Sequence, residues 1–157
     1  MKLNEIGYQT IMDFEGLSLK PYLCTSSIPT IGFGNTYYPN GKKVTMRDKP
    51  ITKEYAIEIF KFIADLFAKD VNNLLKTTVT QNQFNALVSF AYNVGSDIDA
   101  DDIPEGLGDS TLLKKVNKNP NDLSIMTEFL KWVRSNGKVS NGLVKRRKLE
   151  AKLYFTK

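Results

Sequence analysis

Apolar residues recur three and four positions apart in several segments of the chain, which is the pattern of amphipathic helices. The longest of these segments starts after Thr52, a suitable N-cap, and extends to about Lys76. A second begins with the capping box at residues 80–83 (Thr-Gln-Asn-Gln) and should stop at Gly95. Further helices are predicted over residues 3–14, 111–117, 122–134 and 143–155, with turns at residues 136–137 and 141–142.

Residues 17–46 have a different pattern, because Pro and Gly are mixed there with β-branched and aromatic residues. This composition predicts short strands and tight turns, and the pair Asn40-Gly41 is a typical hairpin turn. The order of elements favours an α+β fold that is predominantly helical. We expect one domain over residues 1–157. It would have a small β lobe at about 17–50 and a larger helical lobe, made of about 52–157 and the N-terminal helix, with a cleft between the lobes.

The chain has 157 residues, with 22 basic and 17 acidic side chains and a net charge of +5. This balance favours anionic partners, among them nucleic acid, a membrane surface and the bacterial cell wall. Histidine is absent, which excludes Ser-His-Asp and Cys-His catalysis and a histidine-built zinc site. The sequence shows neither a signal peptide nor an apolar stretch long enough to span a bilayer. We therefore expect synthesis in the host cytoplasm and no stable membrane insertion.

Residues 97–109 carry six acids and no base, and we interpret them as a surface loop. The alternation of Asp97, Asp99 and Asp101 is similar to the start of a calcium loop. The glycine and the terminal glutamate that such a loop requires are out of register, so a solvated loop is the preferred interpretation.

The segment that begins at Glu15 contains residue types that suit glycoside hydrolysis. Glu15 lies where the first predicted helix gives way to the β region, and Cys24 and Thr30 are expected on that region, facing it. A glycosidic oxygen leaves only once it is protonated, and a carboxylic acid can supply that proton. A thiolate can serve as an anion or a base, and a threonine hydroxyl can hold a water. On the residues alone, Cys24 could equally be a small buried hydrophobe and Thr30 an ordinary strand residue.

The spacing Glu-x8-Cys-x5-Thr resembles the catalytic triad of the phage-type lysozymes, glycoside hydrolase family 24. The words EGLSLKPYL and IPTIGFG around it resemble the active-site signature of that family. The words TQNQFNALVSFAYNVG, STLLKKVN and GLVKRRKLEAKLY resemble three of its helices. The resemblance extends over residues 15–154, nearly the whole chain, and implies a lysozyme-like fold.

The resemblance also implies an activity. The protein would be an endolysin, a muramidase that hydrolyses the β-1,4 bond between N-acetylmuramic acid and N-acetylglucosamine, with no metal and no organic cofactor. Glu15 would be the general acid, Cys24 the second catalytic residue and Thr30 the residue that positions water. Tyr92 and Gly32 are expected to contribute to substrate binding. The partner would be cell-wall peptidoglycan, reached after release from the cytoplasm, and we expect a monomer that does not bind nucleic acid.

Three features depart from the pattern of the family. Position 24 is Cys where many members have Asp, and Asn35 stands where many members have a histidine. The acidic stretch at residues 97–109 looks longer than the usual link. We also hypothesise that Arg146 or Arg147 forms an ion pair with Glu15. Three alternatives stay open: an inactive wall-binding protein that kept the fold, a lytic transglycosylase that forms an anhydro product, and a nucleic-acid binder that uses the basic residues of 131–157.

Overall fold

The computed structural model describes residues 1–99 and 105–157, and the fold is predominantly helical as predicted. In this part of the chain no helix is long and apolar enough to cross a membrane. The elements are α1 (Glu5–Glu15), β1 (Ser18–Leu23), β2 (Pro29–Gly32), α2 (Lys53–Leu74), α3 (Gln81–Val94), α4 (Thr111–Lys118), α5 (Ile125–Phe129), β3 (Arg134–Ser135), β4 (Lys138–Val139) and α6 (Asn141–Tyr154). The strands form two separate antiparallel pairs, β1 with β2 and β3 with β4, which confirms the α+β class.

The chain divides into two compact units, which we call the small unit (residues 8–66) and the large unit (residues 1–7 and 67–157). The small unit contains the predicted β region, and it also includes most of α1 and the first part of α2. The lobe boundaries at residues 17–50 and 52–157 stay a prediction.

The β1–β2 hairpin is the main β structure of the small unit. Tyr22 is paired with Thr30, and Leu23 with Pro29. The turn that joins the strands is closed by the N–H of Cys24, which donates to the carbonyl of Ile28 at 3.1 Å. A second turn forms at Asn40-Gly41, as predicted, between Tyr37 and Lys43, which form an isolated antiparallel bridge.

Local capping fixes the ends of several helices where the sequence predicted them. The side chain of Thr52 accepts the N–H of Tyr55 at 3.1 Å, and α2 begins at the next residue after Thr52. Thr80 and Gln83 form the predicted capping box of α3, and Gly95 ends that helix with a φ of 102°. These caps occupy backbone donors that a helix leaves unpaired in its first turn.

Two of the predictions for the C-terminal part were wrong. The helix expected over residues 122–134 is reduced to α5, because β3 and β4 form a hairpin whose turn has positive φ at Asn136 (49°) and Gly137 (74°). The turn expected at residues 141–142 is instead the start of α6, because Ser140 accepts the N–H of Leu143 at 3.4 Å and caps the helix. An N-cap followed by Asn-Gly therefore begins a helix here.

The core of the large unit is built around α3. Phe90 on this helix is fully buried, and the rings of Phe129 and Trp132 meet it edge to face with centroids 5.5 Å and 5.4 Å away. The buried ring of Tyr154 packs against Phe129 at 5.7 Å. Aromatic packing of this kind joins α3 to α5 and α6.

Three charged residues of α6 lie in this core, and we call them the α6 charge cluster: Arg146, Arg147 and Glu150. Arg147 and Glu150 are fully buried and Arg146 is 5% exposed. The Glu150 carboxylate receives Nε of Arg146 at 3.0 Å, the guanidinium of Arg147 and the hydroxyl of Ser89 at 2.8 Å. Each buried charge thus has a partner of opposite sign, which is the condition under which such charges are tolerated.

The acidic segment is described at residues 97–99 and 105–109, whereas Asp101 and Asp102 lie outside the described residues. Oδ2 of Asp97 accepts the N–H groups of Glu105, Gly106 and Asp109 at 3.0–3.3 Å. Asp97 therefore holds the two described parts of the segment together through backbone hydrogen bonds.

Glu150→Gln should lower the free energy of unfolding by about 3–5 kcal/mol, because two buried guanidinium groups lose their counter-charge. Urea denaturation followed by circular dichroism measures the change. The matched control is Glu58→Gln, an exposed residue of α2 whose substitution should change stability by less than about 0.5 kcal/mol. Equal losses in the two variants would contradict the structural role of the cluster.

Candidate active site

Glu15 is the last residue of α1 and belongs to the small unit. The helix stops there because Gly16 has a φ of 68° while its N–H still donates to the carbonyl of Met12 at 3.3 Å. The side chain of Glu15 is half-buried. A carboxylate is therefore presented at a helix end, next to the start of the hairpin, as the sequence predicted.

The backbone at Gly34 approaches the Glu15 carboxyl group closely. A methyl group added to the α-carbon of Gly34 would lie 3.2 Å from Oε2 of Glu15, and the φ of Gly34 is 82°. Two features thus favour glycine at this position: the positive φ of the backbone, and the neighbouring carboxyl group, which leaves little room for a side chain. Gly34 was not among the predicted site residues, although it is the last residue of the segment IPTIGFG that resembles the signature of the family.

Gly32, the other glycine of that word, is buried, and its α-carbon faces Oδ1 of Asn35 and the side chain of Ala56. Its contribution to substrate binding stays a prediction. Asn35 is 3% exposed and forms a two-way backbone bridge with Ile31, each N–H donating at 2.9 Å. This bridge keeps the chain that follows β2 folded back on the strand.

Cys24 follows β1 directly and opens the turn of the hairpin, where its carbonyl accepts the N–H of Ser27 at 2.8 Å. The pKa of its thiol is lowered, first by hydrogen bonds from the backbone of Ile28 and Ser26 and then by one from the Thr30 hydroxyl, while partial desolvation opposes them. Donors that converge on a sulfur favour its thiolate. The half-exposed thiol therefore lies in a turn whose hydrogen-bond donors favour the charged form of the sulfur.

Thr30 lies on β2 and is 2% exposed. Its hydroxyl donates to the carbonyl of Ile28 at 2.9 Å and lies in hydrogen-bonding range of the Cys24 thiol. A hydroxyl has one proton, so it can donate either to that carbonyl or to a thiolate, while its lone pairs stay able to accept. The structure thus brings the second and third predicted residues together.

Tyr22 is a neighbour of this group that the sequence analysis did not select. It is the register partner of Thr30, so the two side chains lie on one face of the hairpin, and Cys24 follows two positions later, just after the end of β1. Its pKa is raised by desolvation and then by the negative charges of Glu15 and Cys24, so its phenol lies within electrostatic range of both groups. The period of two from Tyr22 to Cys24 was the signal that could have identified it.

The remaining predicted residues lie in the large unit. Tyr92 on α3 is half-buried, and its ring packs against Phe67 with centroids 5.2 Å apart. Its role in substrate binding stays a prediction. Arg146 and Arg147 both bond to Glu150, and an ion pair between one of them and Glu15 likewise stays a prediction.

The comparisons with known proteins identify the family. The chain matches the model of the phage lysozyme family over residues 12–150. It is 41% identical over 158 residues to the endolysin of Bacillus phage B103, and 34% identical over 159 residues to the endolysin of Acyrthosiphon pisum secondary endosymbiont phage 1. A solved endolysin from Escherichia coli O157:H7 phage FAHEc1 has a TM-score of 0.86 at 36% identity, with 99% of this chain and 94% of that chain covered.

These matches define a lysozyme-like fold and confirm the family resemblance. The chain belongs to the phage lysozyme family. The match to the endosymbiont phage endolysin covers 98% of this chain and 98% of that protein. The match to the Bacillus phage B103 endolysin covers 99% of this chain but only 55% of that protein, so the chain spans about half the length of that relative.

Gly34→Ala should be more damaging than Gly41→Ala, and the pair isolates the contact with Glu15. Both glycines have φ near 80°, so both substitutions carry the left-handed strain of about 1–2 kcal/mol. Nothing lies within 4 Å of the added methyl at Gly41, whereas at Gly34 it meets the Glu15 carboxyl group. We expect a larger stability loss in urea and a larger loss of wall lysis for Gly34→Ala; equal effects would mean that the contact is unimportant.

The lowered pKa of Cys24 should appear in the pH dependence of its alkylation. Cys24 is the only cysteine, so mass spectrometry after iodoacetamide treatment reports on it alone. Since only the thiolate reacts, the reaction should begin at a lower pH than for an ordinary cysteine. Thr30→Val removes one donor and should move the midpoint to higher pH, whereas Thr25→Val, in the exposed turn, should not. A midpoint at or above that of a free cysteine would contradict the assignment.

Proposed function

We propose that the protein is a muramidase that hydrolyses the β-1,4 bond between N-acetylmuramic acid and N-acetylglucosamine in bacterial peptidoglycan. The observation that carries the proposal is the grouping of Glu15, Cys24 and Thr30 in the small unit of a phage lysozyme fold. The Glu15 carboxyl group lies against Gly34, and the phenol of Tyr22 lies within electrostatic range of both Glu15 and Cys24.

In this proposal Glu15 is the general acid. Its proton passes to the glycosidic oxygen as the bond from that oxygen to the anomeric carbon breaks, so the leaving sugar departs as an alcohol. The close backbone at Gly34 limits the directions that the carboxyl group can take. A fixed orientation towards the leaving oxygen is what proton transfer in the transition state requires.

Cys24 and Thr30 act on the water. The water bonds to the anomeric carbon and gives its proton to the Cys24 thiolate, while Thr30 holds the water through its hydroxyl. Two observations support these roles: the thiol has a lowered pKa, and the Thr30 hydroxyl, which donates to the Ile28 carbonyl in the turn, lies in hydrogen-bonding range of the sulfur. A thiolate thus takes the place that a carboxylate has in most glycosidases.

The proposed site of action is the cell wall, after the protein has left the cytoplasm in which it is made. The exposed side of α6 presents Lys145, Lys148 and Lys152, which suit an anionic wall. A monomer without a nucleic-acid partner remains our expectation.

Glu15→Gln should abolish wall lysis without loss of fold, because the amide is nearly isosteric but has no acidic proton. The measurement is clearance of a wall suspension together with mass spectrometry of the released muropeptides. Glu58→Gln is the control for loss of one negative charge and should lyse at the wild-type rate.

The mass of the products also separates the alternatives. Hydrolysis adds one water for each bond that is cut, whereas an anhydro product, lighter by one water than the hydrolytic product, would identify a lytic transglycosylase. Wall binding without any fragment from the wild-type protein would identify an inactive binding protein. In the same digest Cys24→Asp should retain substantial activity and Cys24→Ser should lose most of it, since a hydroxyl stays neutral. Wild-type activity in Cys24→Ser would remove the thiol from the mechanism.

A further inference from the structure

The chain contains three Asn-Gly pairs, at residues 40–41, 136–137 and 141–142. Asparagine is a chemically labile residue, and it is most open to attack by the backbone nitrogen that follows it when that nitrogen belongs to glycine, which has no side chain to hinder the approach. The attack forms a cyclic imide and releases the side-chain nitrogen as ammonia. Since the three pairs have the same chemistry, their backbone settings decide which of them reacts.

The pair at residues 40–41 is held by hydrogen bonds on both of its reacting groups. The N–H of Gly41 donates to the carbonyl of Tyr38 at 2.9 Å. Oδ1 of Asn40 accepts the N–H of Lys42 at 3.0 Å, which fixes the side-chain carbonyl. The nitrogen can reach that carbonyl only after these bonds break, so this pair is protected in the folded protein.

The pair at residues 141–142 lies in the first turn of α6. The N-cap Ser140 accepts the N–H of Leu143 on its side chain at 3.4 Å and the N–H of Val144 on its carbonyl at 2.9 Å. The imide ring includes the Cα–C bond of Asn141, so the ring forms only after that bond rotates out of the helical conformation. Because this rotation breaks the first turn of α6, this pair is protected as well.

The pair at residues 136–137 forms the turn of the β3–β4 hairpin, and neither of its reacting groups is held. Among residues 1–99 and 105–157, nothing bonds to the side chain of Asn136 or to the N–H of Gly137. The Arg134 guanidinium bonds to the carbonyl of Gly137 at 3.0 Å, which leaves the nitrogen of that glycine open. Asn136 is exposed and has a φ of 49°, a left-handed conformation that costs energy for a residue with a side chain, so rotation out of it relieves strain.

The hairpin around this pair opposes the rotation only weakly. Each strand has two residues, with Arg134 paired to Val139 and Ser135 to Lys138, and every residue from 134 to 139 is exposed. A two-stranded ribbon without buried side chains has little stability of its own, so it opens locally far more often than an element of the core. Asn136 therefore reaches the reactive geometry while the rest of the protein stays folded.

We propose that Asn136 is a site of spontaneous covalent modification in the folded protein, whereas the other two Asn-Gly pairs are protected. The nitrogen of Gly137 bonds to Cγ of Asn136, its proton passes through water to the departing side-chain nitrogen, and ammonia leaves as the Cγ–Nδ2 bond breaks. Water then opens the imide at one of its two carbonyls. Attack at the side-chain carbonyl gives aspartate, and attack at the main-chain carbonyl gives isoaspartate.

The product changes the hairpin in two ways. A carboxylate replaces a neutral amide in the sequence between Arg134 and Lys138, the basic residues of the two strands. Isoaspartate also adds one carbon to the main chain of a turn that is two residues long, so the register of β3 and β4 cannot be kept.

The three pairs serve as controls for one another in a single experiment. The full chain is kept in mildly alkaline buffer, once folded and once unfolded in guanidinium chloride, and conversion of each asparagine is followed by peptide mapping with mass spectrometry. The ratio of the folded rate to the unfolded rate removes the influence of the neighbouring residues. This ratio should be at least about tenfold higher at Asn136 than at Asn40 or Asn141, because one or two hydrogen bonds that must break first suppress a reaction by roughly that factor.

Two variants test the cause of the difference. Ser140→Ala removes the side-chain cap of α6 and should raise the ratio at Asn141 severalfold while the ratio at Asn136 stays the same. Asn136→Gln, whose longer side chain does not form this ring readily, should remove conversion at its own position and leave Asn40 and Asn141 unchanged.

Equal ratios at the three pairs, or a ratio at Asn40 or Asn141 above that at Asn136, would overturn the proposal. No conversion of Asn136 in the folded protein, over a time in which the unfolded chain converts at all three pairs, would overturn it too.

Discussion

The carboxylate of Glu150 is the group on which the large unit depends. It is fully buried and is the common acceptor for two guanidinium groups and a serine hydroxyl. Without it, Arg146 and Arg147 would lose the carboxylate that they share in the core, and removal of one partner from a buried ion pair is strongly destabilising. Arg147 also connects this cluster to residues nearer the surface, since it donates both to the side chain of Asn93 at the end of α3 and to the carbonyl of Trp132. A buried ion cluster thus fixes the end of α3 against the segment that follows α5.

The small unit is organised in another way, by backbone conformation. Positive φ at Gly16 ends α1 at Glu15, and positive φ at Gly34 lets the main chain return close to that carboxylate. The hairpin turn directs N–H groups towards the Cys24 sulfur. The main chain itself supplies the dipoles of this arrangement. Dipoles fixed by a hairpin are organised before a ligand arrives, as the proposed electrostatic role of Cys24 requires.

The sequence predicted those features that local chemistry decides. Thr80 and Gln83 cap a helix with their own neighbours, so four residues suffice to predict the start of α3. The structure of residues 122–134 is decided by two opposing preferences. Their apolar spacing favours a helix, whereas the turn at Asn136-Gly137 favours a hairpin in which Arg134 belongs to a strand. No local pattern shows which preference is stronger. Partners far apart in the chain, such as Glu15 with Gly34 or Arg147 with Asn93, follow only from packing, although the family resemblance had already selected Glu15, Cys24 and Thr30.

The absence of histidine gives the lowered pKa of Cys24 its significance. The proposed hydrolysis needs a base that is unprotonated near neutral pH to activate the water, and this chain has no imidazole to offer. Hydrogen bonds from the turn move the thiol pKa below its usual value of 9.0, so the thiolate is formed at a lower pH in the folded protein than in the unfolded chain. Linkage then requires the turn to contribute stability above the unfolded pKa and to lose that contribution as the pH falls through the folded pKa. The hydrogen bonds that favour the Cys24 thiolate, the base in the proposed reaction, therefore also stabilise the folded hairpin when the sulfur is charged. Protonation of the sulfur removes both effects together.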